Sequence, residues 1–293
     1  MVVLNNNQIS VKVDELGAEL ASVVLNETGN QYLWQGDEQY WANRSPLLFP
    51  IVGRLNDHQY QYDGKLYGMG IHGFARNMHF SVEQQRNEAA TFVLSSNGQT
   101  KEIYPFDFVL RVNYLLEGKT VRIEAEVEHT GTSTMYFSIG FHPGFDFGLM
   151  NPGSGIDDYY LKFDARKSMA DRVGIAKGYR SGTVSNGAFE EGLQPLSAEN
   201  FSNDAIVIKN FSSKHVTLAS DTYPHGVTMS IDGFPYLGIW TTYVRHPLFV
   251  CIEPWHGVGS KLGDNPDRLI EKEGIIALGP KGSFSCSTSI TLF

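Results

Sequence analysis

Hydrophobic and polar residues alternate with a period of two along much of the chain, most clearly over residues 106–127. Phe106, Phe108, Leu110, Val112, Tyr114 and Leu116 share one face, and Glu117-Gly118-Lys119 supplies a turn. Val121, Ile123, Ala125 and Val127 then return on that face, with Arg122, Glu124, Glu126 and Glu128 opposite. Successive side chains of a strand point to opposite sides, so this pattern predicts a long antiparallel hairpin with one dry and one wet side. Shorter runs bounded by turn residues predict strands at residues 59–62 (before Asp63-Gly64), 90–94 (before Asn97-Gly98), 205–208, 215–218, 227–231 (before Asp232-Gly233), 237–243, 248–252 and 285–292. Helical periodicity is confined to residues 37–44 and 197–201, where short helices are expected.

No Pro/Ser-rich linker, shift of composition or fixed-period repeat divides the chain, and the Gly/Asn-rich residues 151–155 read as a loop. The expected architecture is all-β: one large antiparallel β-sandwich domain over residues 1–293 with few short helices. A chain of 293 residues can bury roughly three-quarters of its unfolded surface, so a core needs no disulfide or metal. Hydrophobic residues at 42% and charged residues at 19% exclude a disordered protein.

Charge narrows the functional classes. Lys and Arg number 23 against 32 Asp and Glu, a formal charge of −9, and no basic stripe is present for a nucleic-acid backbone. The two cysteines, Cys251 and Cys286, form no C-x-x-C pair, which removes zinc-ribbon and dithiol redox motifs. No run approaches the roughly 18 apolar residues of a membrane span. Residues 1–17 show no basic stretch followed by an apolar one, so the expected location is the cytoplasm.

Several segments carry candidate chemistry. Gly68-Met69-Gly70-Ile71-His72-Gly73 matches G-x-G-x-x-G, but no amphipathic helix follows to hold a pyrophosphate. The glycines are better explained by close backbone approach or unusual φ/ψ beside His72. In residues 135–142, alternation places Met135, Phe137, Ile139 and Phe141 on one face and Tyr136, Ser138, Gly140 and His142 on the other, so His142 ends a strand before a Pro-Gly break. Glu253 ends the apolar run Leu248-Phe249-Val250-Cys251-Ile252, before Pro254 and Trp255. It is either a buried structural acceptor or a general base whose pKa burial would raise. Cys251 falls on the same face as Glu253 and is expected to line the same region as a small apolar residue. His72, His142 and Glu253 could form a facial triad, but no compact metal motif supports one. G-x-S-x-G is absent as well. Among Trp34, Tyr40, Trp41, Phe74, Phe145, Trp240, Tyr243 and Trp255, a few are expected to offer a stacking surface for sugar C–H faces.

Taken together, Asn43-Arg44-Ser45-Pro46-Leu47-Leu48-Phe49-Pro50-Ile51-Val52-Gly53-Arg54, Gly70-Ile71-His72-Gly73-Phe74-Ala75-Arg76, Gly140-Phe141-His142-Pro143, Asn203-Asp204-Ala205 and Ile252-Glu253-Pro254-Trp255 resemble the aldose 1-epimerase (galactose mutarotase-like) family. The resemblance runs in order along nearly the whole chain and is nearer to shorter members than to typical galactose mutarotases. It implies a β-supersandwich with a sugar cleft and no metal or organic cofactor. Matched position by position, it implies Glu253 as general base, His142 as general acid and His72 as a second active-site histidine. Arg54 and Asp204 would bind sugar, with Arg76 and Trp255 as further contacts. The implied reaction interconverts α and β anomers by ring opening and closure. A hexose-6-phosphate 1-epimerase is the nearest alternative, with Arg44, Arg54, Arg76 and Lys261 as candidate phosphate cations. A carbohydrate-binding protein without turnover is another. The matched acid and base favour the enzyme, and no second carboxylate motif pairs with Glu253 for glycoside hydrolysis.

Overall fold

The computed structural model describes residues 1–165, 169–188, 192–263 and 265–293. Two large antiparallel sheets form its frame. The nine-stranded sheet runs in the order Leu193–Pro195, Tyr160–Phe163, His215–Ala219, Val227–Ser230, Ser283–Leu292, Thr120–His129, Phe108–Glu117, Ala89–Ser95 and Ser81–Gln85. The eight-stranded sheet runs Tyr179–Ala188, Met169–Ala176, Ile206–Lys209, Tyr236–Trp240, Phe249–His256, Ile139–Phe141 and Leu47–Leu48, with Gly144–Asp146 also pairing onto Phe249–His256. Neither sheet closes on itself, and the fold is the β-sandwich that the alternation predicts. A small sheet supplies a parallel pair, Asp267–Arg268 beside Gln59–Tyr62.

The hairpin Phe108–Glu117 and Thr120–His129 shows why the sequence folds this way. Glu117 pairs with Thr120 across a two-residue turn, and Gly118 takes φ 62, a conformation glycine accepts without steric cost. Leu110, Val112, Val121, Ile123 and Ala125 are buried, while Arg122 and Glu128 remain exposed. Their buried side chains join Ile206, Ile208, Leu237, Ile239 and Ile252 of the eight-stranded sheet in one hydrophobic cluster. Each large apolar side chain so removed from water contributes about 1.5–3 kcal/mol.

Helix is scarce but misplaced by the sequence reading. Residues 37–44 form turns with an isolated bridge between Asp37 and Trp41, not a helix. Trp41 is drawn instead against His142 and Phe249, and that packing overrides a weak local helical pattern. Asn97-Gly98 is not a hairpin turn: the Asn97 side chain accepts from Thr100 N and caps the helix Gly98–Ile103. A second short helix, Phe147–Met150, is capped by Asp146, which accepts from Leu149 N. Residues 197–201 become the 3-10 turn Ala198–Phe201, and residues 151–155 are a loop. No helix among the described residues is long and apolar enough to cross a membrane.

Candidate active site

One face of the eight-stranded sheet carries a cleft of about 280 Å³. Its floor is the strand Phe249–His256, buried along almost its whole length. Ile139–Phe141 and Gly144–Asp146 pair with this strand on either side of a short break, with Gly140 opposite Trp255 and Gly144 opposite Cys251. That one register sets His142 directly across from Glu253. Cross-strand neighbours stand about 4.5–5.5 Å apart at Cβ, within reach of each other's side chains. His142 Nε2 and Glu253 Oε2 lie 3.0 Å apart, with the two residues 6% and 1% exposed.

Glycines make room for the aromatic walls. Trp255, two residues beyond Glu253, lies on the same strand face. Its indole covers Gly238, where a Cβ would come within 2.4 Å of the ring, and abuts Gly140, where one would come within 2.6 Å. At Gly144 a Cβ would press on Trp41 at 3.0 Å and on the Cys251 sulfur at 3.3 Å. Trp41 stacks on the His142 ring at 4.9 Å, and Trp240 meets that ring edge-on at 6.0 Å. Trp34 braces the wall by donating from Nε1 to Trp41 O at 2.7 Å.

His72 reaches the same place from the glycine-rich segment. It adopts φ 63, and its backbone N–H donates to Gly53 O at 3.0 Å. Gly53 N–H donates in return to His72 Nδ1 at 3.1 Å, so Nδ1 is an acceptor and the proton of the neutral ring sits on Nε2. The His72 and His142 rings meet edge to face at 5.4 Å. Gly73, at φ 76, is required because a Cβ would strike Phe49 O at 2.2 Å, whereas Gly68 and Gly70 face open space. The glycine motif thus serves backbone geometry beside His72. At Gly53 a Cβ would meet Gly259 Cα at 2.5 Å, and this close approach fixes Arg54 against the Val258–Gly259 wall.

All seven residues singled out in the sequence, His72, His142, Glu253, Arg54, Asp204, Arg76 and Trp255, line this cleft. Burial drives the Glu253 carboxyl well above its ordinary pKa, and the nearby Asp204 charge adds to the effect. The Trp255 indole N–H opposes that shift without forming an aligned hydrogen bond. Burial pushes His142 down to about 3, with Arg76 contributing, and holds His72 well below its usual value. Both shifts act against the charge-separated form of the Glu253–His142 pair and toward carboxylic acid beside neutral imidazole, because burial penalises each charge.

Cys251 is fully buried behind the pair and does not line the cleft. Among the described residues, the group whose atoms could share an ion is His142, Cys251 and Glu253, within 4.8 Å of one another, not the His72 triad. Burial raises the Cys251 thiol far above its usual pKa, which keeps it protonated and a weak ligand. Arg44 turns away to Glu19 and Gln35 O, and Lys261 is not among the lining residues. Of the aromatic candidates, Trp41, Trp240 and Trp255 line the cleft, Phe74 and Phe145 are core, and Tyr243 is exposed. Arg180, which also lines it, was not anticipated. It arrives on the hairpin Met169–Ala176 and Tyr179–Ala188, whose polar strands alternate too weakly to be read, although Lys177-Gly178 is a turn signal.

The aldose 1-epimerase family model matches residues 1–267. The chain is 32% identical to the chromosomal protein LacX of Lactococcus lactis subsp. lactis, over 99% of this chain and 98% of that one. Its fold superposes on a galactose mutarotase related enzyme from Lactobacillus acidophilus with a TM-score of 0.94 at 33% identity, covering 100% of this chain and 97% of the other. A galactose mutarotase-like protein from Lactobacillus casei superposes with a TM-score of 0.93 at 31% identity, each chain covered completely.

Proposed function

The chain belongs to the aldose 1-epimerase family, and from that premise we propose that it is a cofactor-independent isomerase interconverting the α and β anomers of an aldose. The observation that carries the proposal is the buried 3.0 Å contact between His142 and Glu253 at the floor of a cleft walled by tryptophans. Binding alone does not require a matched acid and base, so this contact favours turnover over a purely carbohydrate-binding role.

In the proposed mechanism Glu253, as carboxylate, takes the proton from the C1 hydroxyl while His142, as imidazolium, gives one to the ring oxygen. That reactive form differs from the uncharged pair only in which partner holds the shared proton, so interconverting the two needs no proton to enter or leave the site. As the C1–ring oxygen bond breaks, the sugar opens to the aldehyde. Glu253 is left protonated and His142 neutral, the distribution burial favours. Rotation about C1–C2 presents the other carbonyl face, and closure reverses both transfers. His72, with its proton on Nε2, and the Arg54 and Arg76 guanidinium groups supply donors for sugar oxygens on which charge develops. Asp204 supplies an acceptor for hydroxyls, and Trp255 an apolar platform.

A second reading, a hexose-6-phosphate 1-epimerase, draws on the gathering of Arg54, Arg76 and Arg180 around one cleft of a chain whose formal charge is −9. Polarimetry on free and phosphorylated aldoses tests both. Accelerated mutarotation of free hexoses supports the first. Faster turnover of phosphates that weakens as salt rises supports the second. Sugar binding without acceleration of any aldose would leave only a binding role.

A further inference from the structure

Arg180 is held more firmly than a surface arginine. Its Nε donates to Gly259 O at 2.6 Å and its Nη1 to Glu273. Glu273 Oε1 also accepts from Tyr236 OH at 3.2 Å and Lys209 Nζ at 3.3 Å, so one carboxylate is gripped from three elements. Beside it the buried Lys272 Nζ donates to Val258 O. The Val258–Gly259 wall of the cleft is thus tied by side chains through two successive carbonyls.

A structural tether would be the simplest role for this arrangement, but the backbone already supplies one. Arg180 N–H donates to Ser260 O and Leu262 N–H to Arg180 O, both at 2.9 Å, and an isolated bridge joins Arg180 to Lys261. The edge hairpin is anchored without the guanidinium. The side chain nevertheless lies in the cleft, 13% exposed, with two of its five N–H donors engaged by Gly259 and Glu273. Burying a fork of donors whose counter-ion sits outside the cleft lining suits a group that meets oxygen acceptors on a ligand.

We propose that Arg180 contacts oxygen atoms of the bound sugar and sets which sugar is accepted, and that Glu273 is the residue positioning it. This rests on the cleft being the sugar site, and the contacted oxygen is either a hydroxyl or a phosphate. The test compares wild type, Arg180→Lys, Glu273→Gln and the double variant. Glucose, galactose and their 6-phosphates serve as probes, followed by tryptophan fluorescence titration and by anomer exchange in NMR. Lysine keeps the charge but loses the fork, so Arg180→Lys should weaken binding and raise KM about tenfold or more, with a much smaller change in kcat. Glu273→Gln should act several-fold in the same direction, and the double variant should be no worse than Arg180→Lys alone. A loss confined to the 6-phosphates assigns the contact to phosphate; an equal loss for free sugars assigns it to a hydroxyl. Unchanged binding in Arg180→Lys overturns the proposal. So does a double variant whose defect is the sum of the two, or a wild type that binds none of the probes. If wild type exchanges no anomers yet binds sugar in an Arg180-dependent way, the epimerase reading fails and the role of Arg180 stands.

Discussion

The nine-stranded and eight-stranded sheets spend their residues differently. In Phe108–Glu117 buried positions alternate with half-buried or exposed ones, and Arg111, Asn113 and Glu117 stay on the wet face. In Phe249–His256 every residue but the last is buried, and one of those buried residues is a carboxylate. The first pattern is what packing alone asks of a strand with water on one side. The second places an ionisable group where its charge is disfavoured, which opposes folding and suits proton transfer. Substitutions in the two regions should therefore separate: the first should cost stability, the second chemistry.

The largest effect expected is in the cleft. His142→Asn removes the proposed acid and should slow anomer exchange by about 10²–10⁴-fold. Adding Glu253→Gln should cost far less than a second factor of that size, because the two groups handle one proton as a unit. A double variant slowed by the product of the two single effects would mean they act independently.

On the other side of the comparison, Leu110 is fully buried in the hairpin. Leu110→Ala should lower unfolding free energy by about 2–5 kcal/mol in denaturant titrations. Exchange per folded molecule should stay at the wild-type rate. A large loss of kcat in the folded fraction would show that the two sheets are not separable in function.

Gly238→Ala, in the eight-stranded sheet, should affect both stability and binding, because its new methyl must displace the Trp255 ring. A stability loss of about 1–3 kcal/mol is expected from overpacking, together with altered tryptophan emission and weaker sugar binding. Unchanged emission and binding would contradict the role given to the glycine–tryptophan contact.

A further effect is one of pH. Burial holds the His142 imidazole at about 3 in the folded protein, well below the ordinary histidine range, so its stabilising contribution is complete above the unfolded value. It is lost as pH falls toward 3, because the unfolded chain takes up the proton first. The wild type should therefore lose stability relative to His142→Asn over that interval in thermal melts. A gap between them that stayed constant with pH would show that His142 is not held neutral.

The contrast between the sheets also explains what the sequence disclosed. The hairpin at residues 106–127 was legible because solvent on one side enforces a period of two. His142 and Glu253 were legible as polar residues interrupting apolar strands, but their pairing depends on a register shared across 111 positions of sequence, which local pattern does not encode. Arg180 was hidden because an exposed, polar hairpin alternates weakly, and its partners Gly259 and Glu273 come from distant loops. Trp41 misled the helix assignment at residues 37–44, since its place is set by stacking on His142.

The most direct test of the central claim, that the buried carboxylate moves the C1 hydroxyl proton, is α-to-β exchange of a turned-over aldose by NMR, comparing wild type with Glu253→Gln. The variant keeps the side chain's size and hydrogen-bonding capacity. It should bind sugar, and it should remain at least as stable as wild type near pH 8. The sign follows from the raised Glu253 pKa: its contribution is retained below the unfolded value and lost as pH rises through the folded one, and glutamine has no such loss. Exchange should fall by about 10²–10⁴-fold. Near-normal exchange by a folded Glu253→Gln protein would contradict the account.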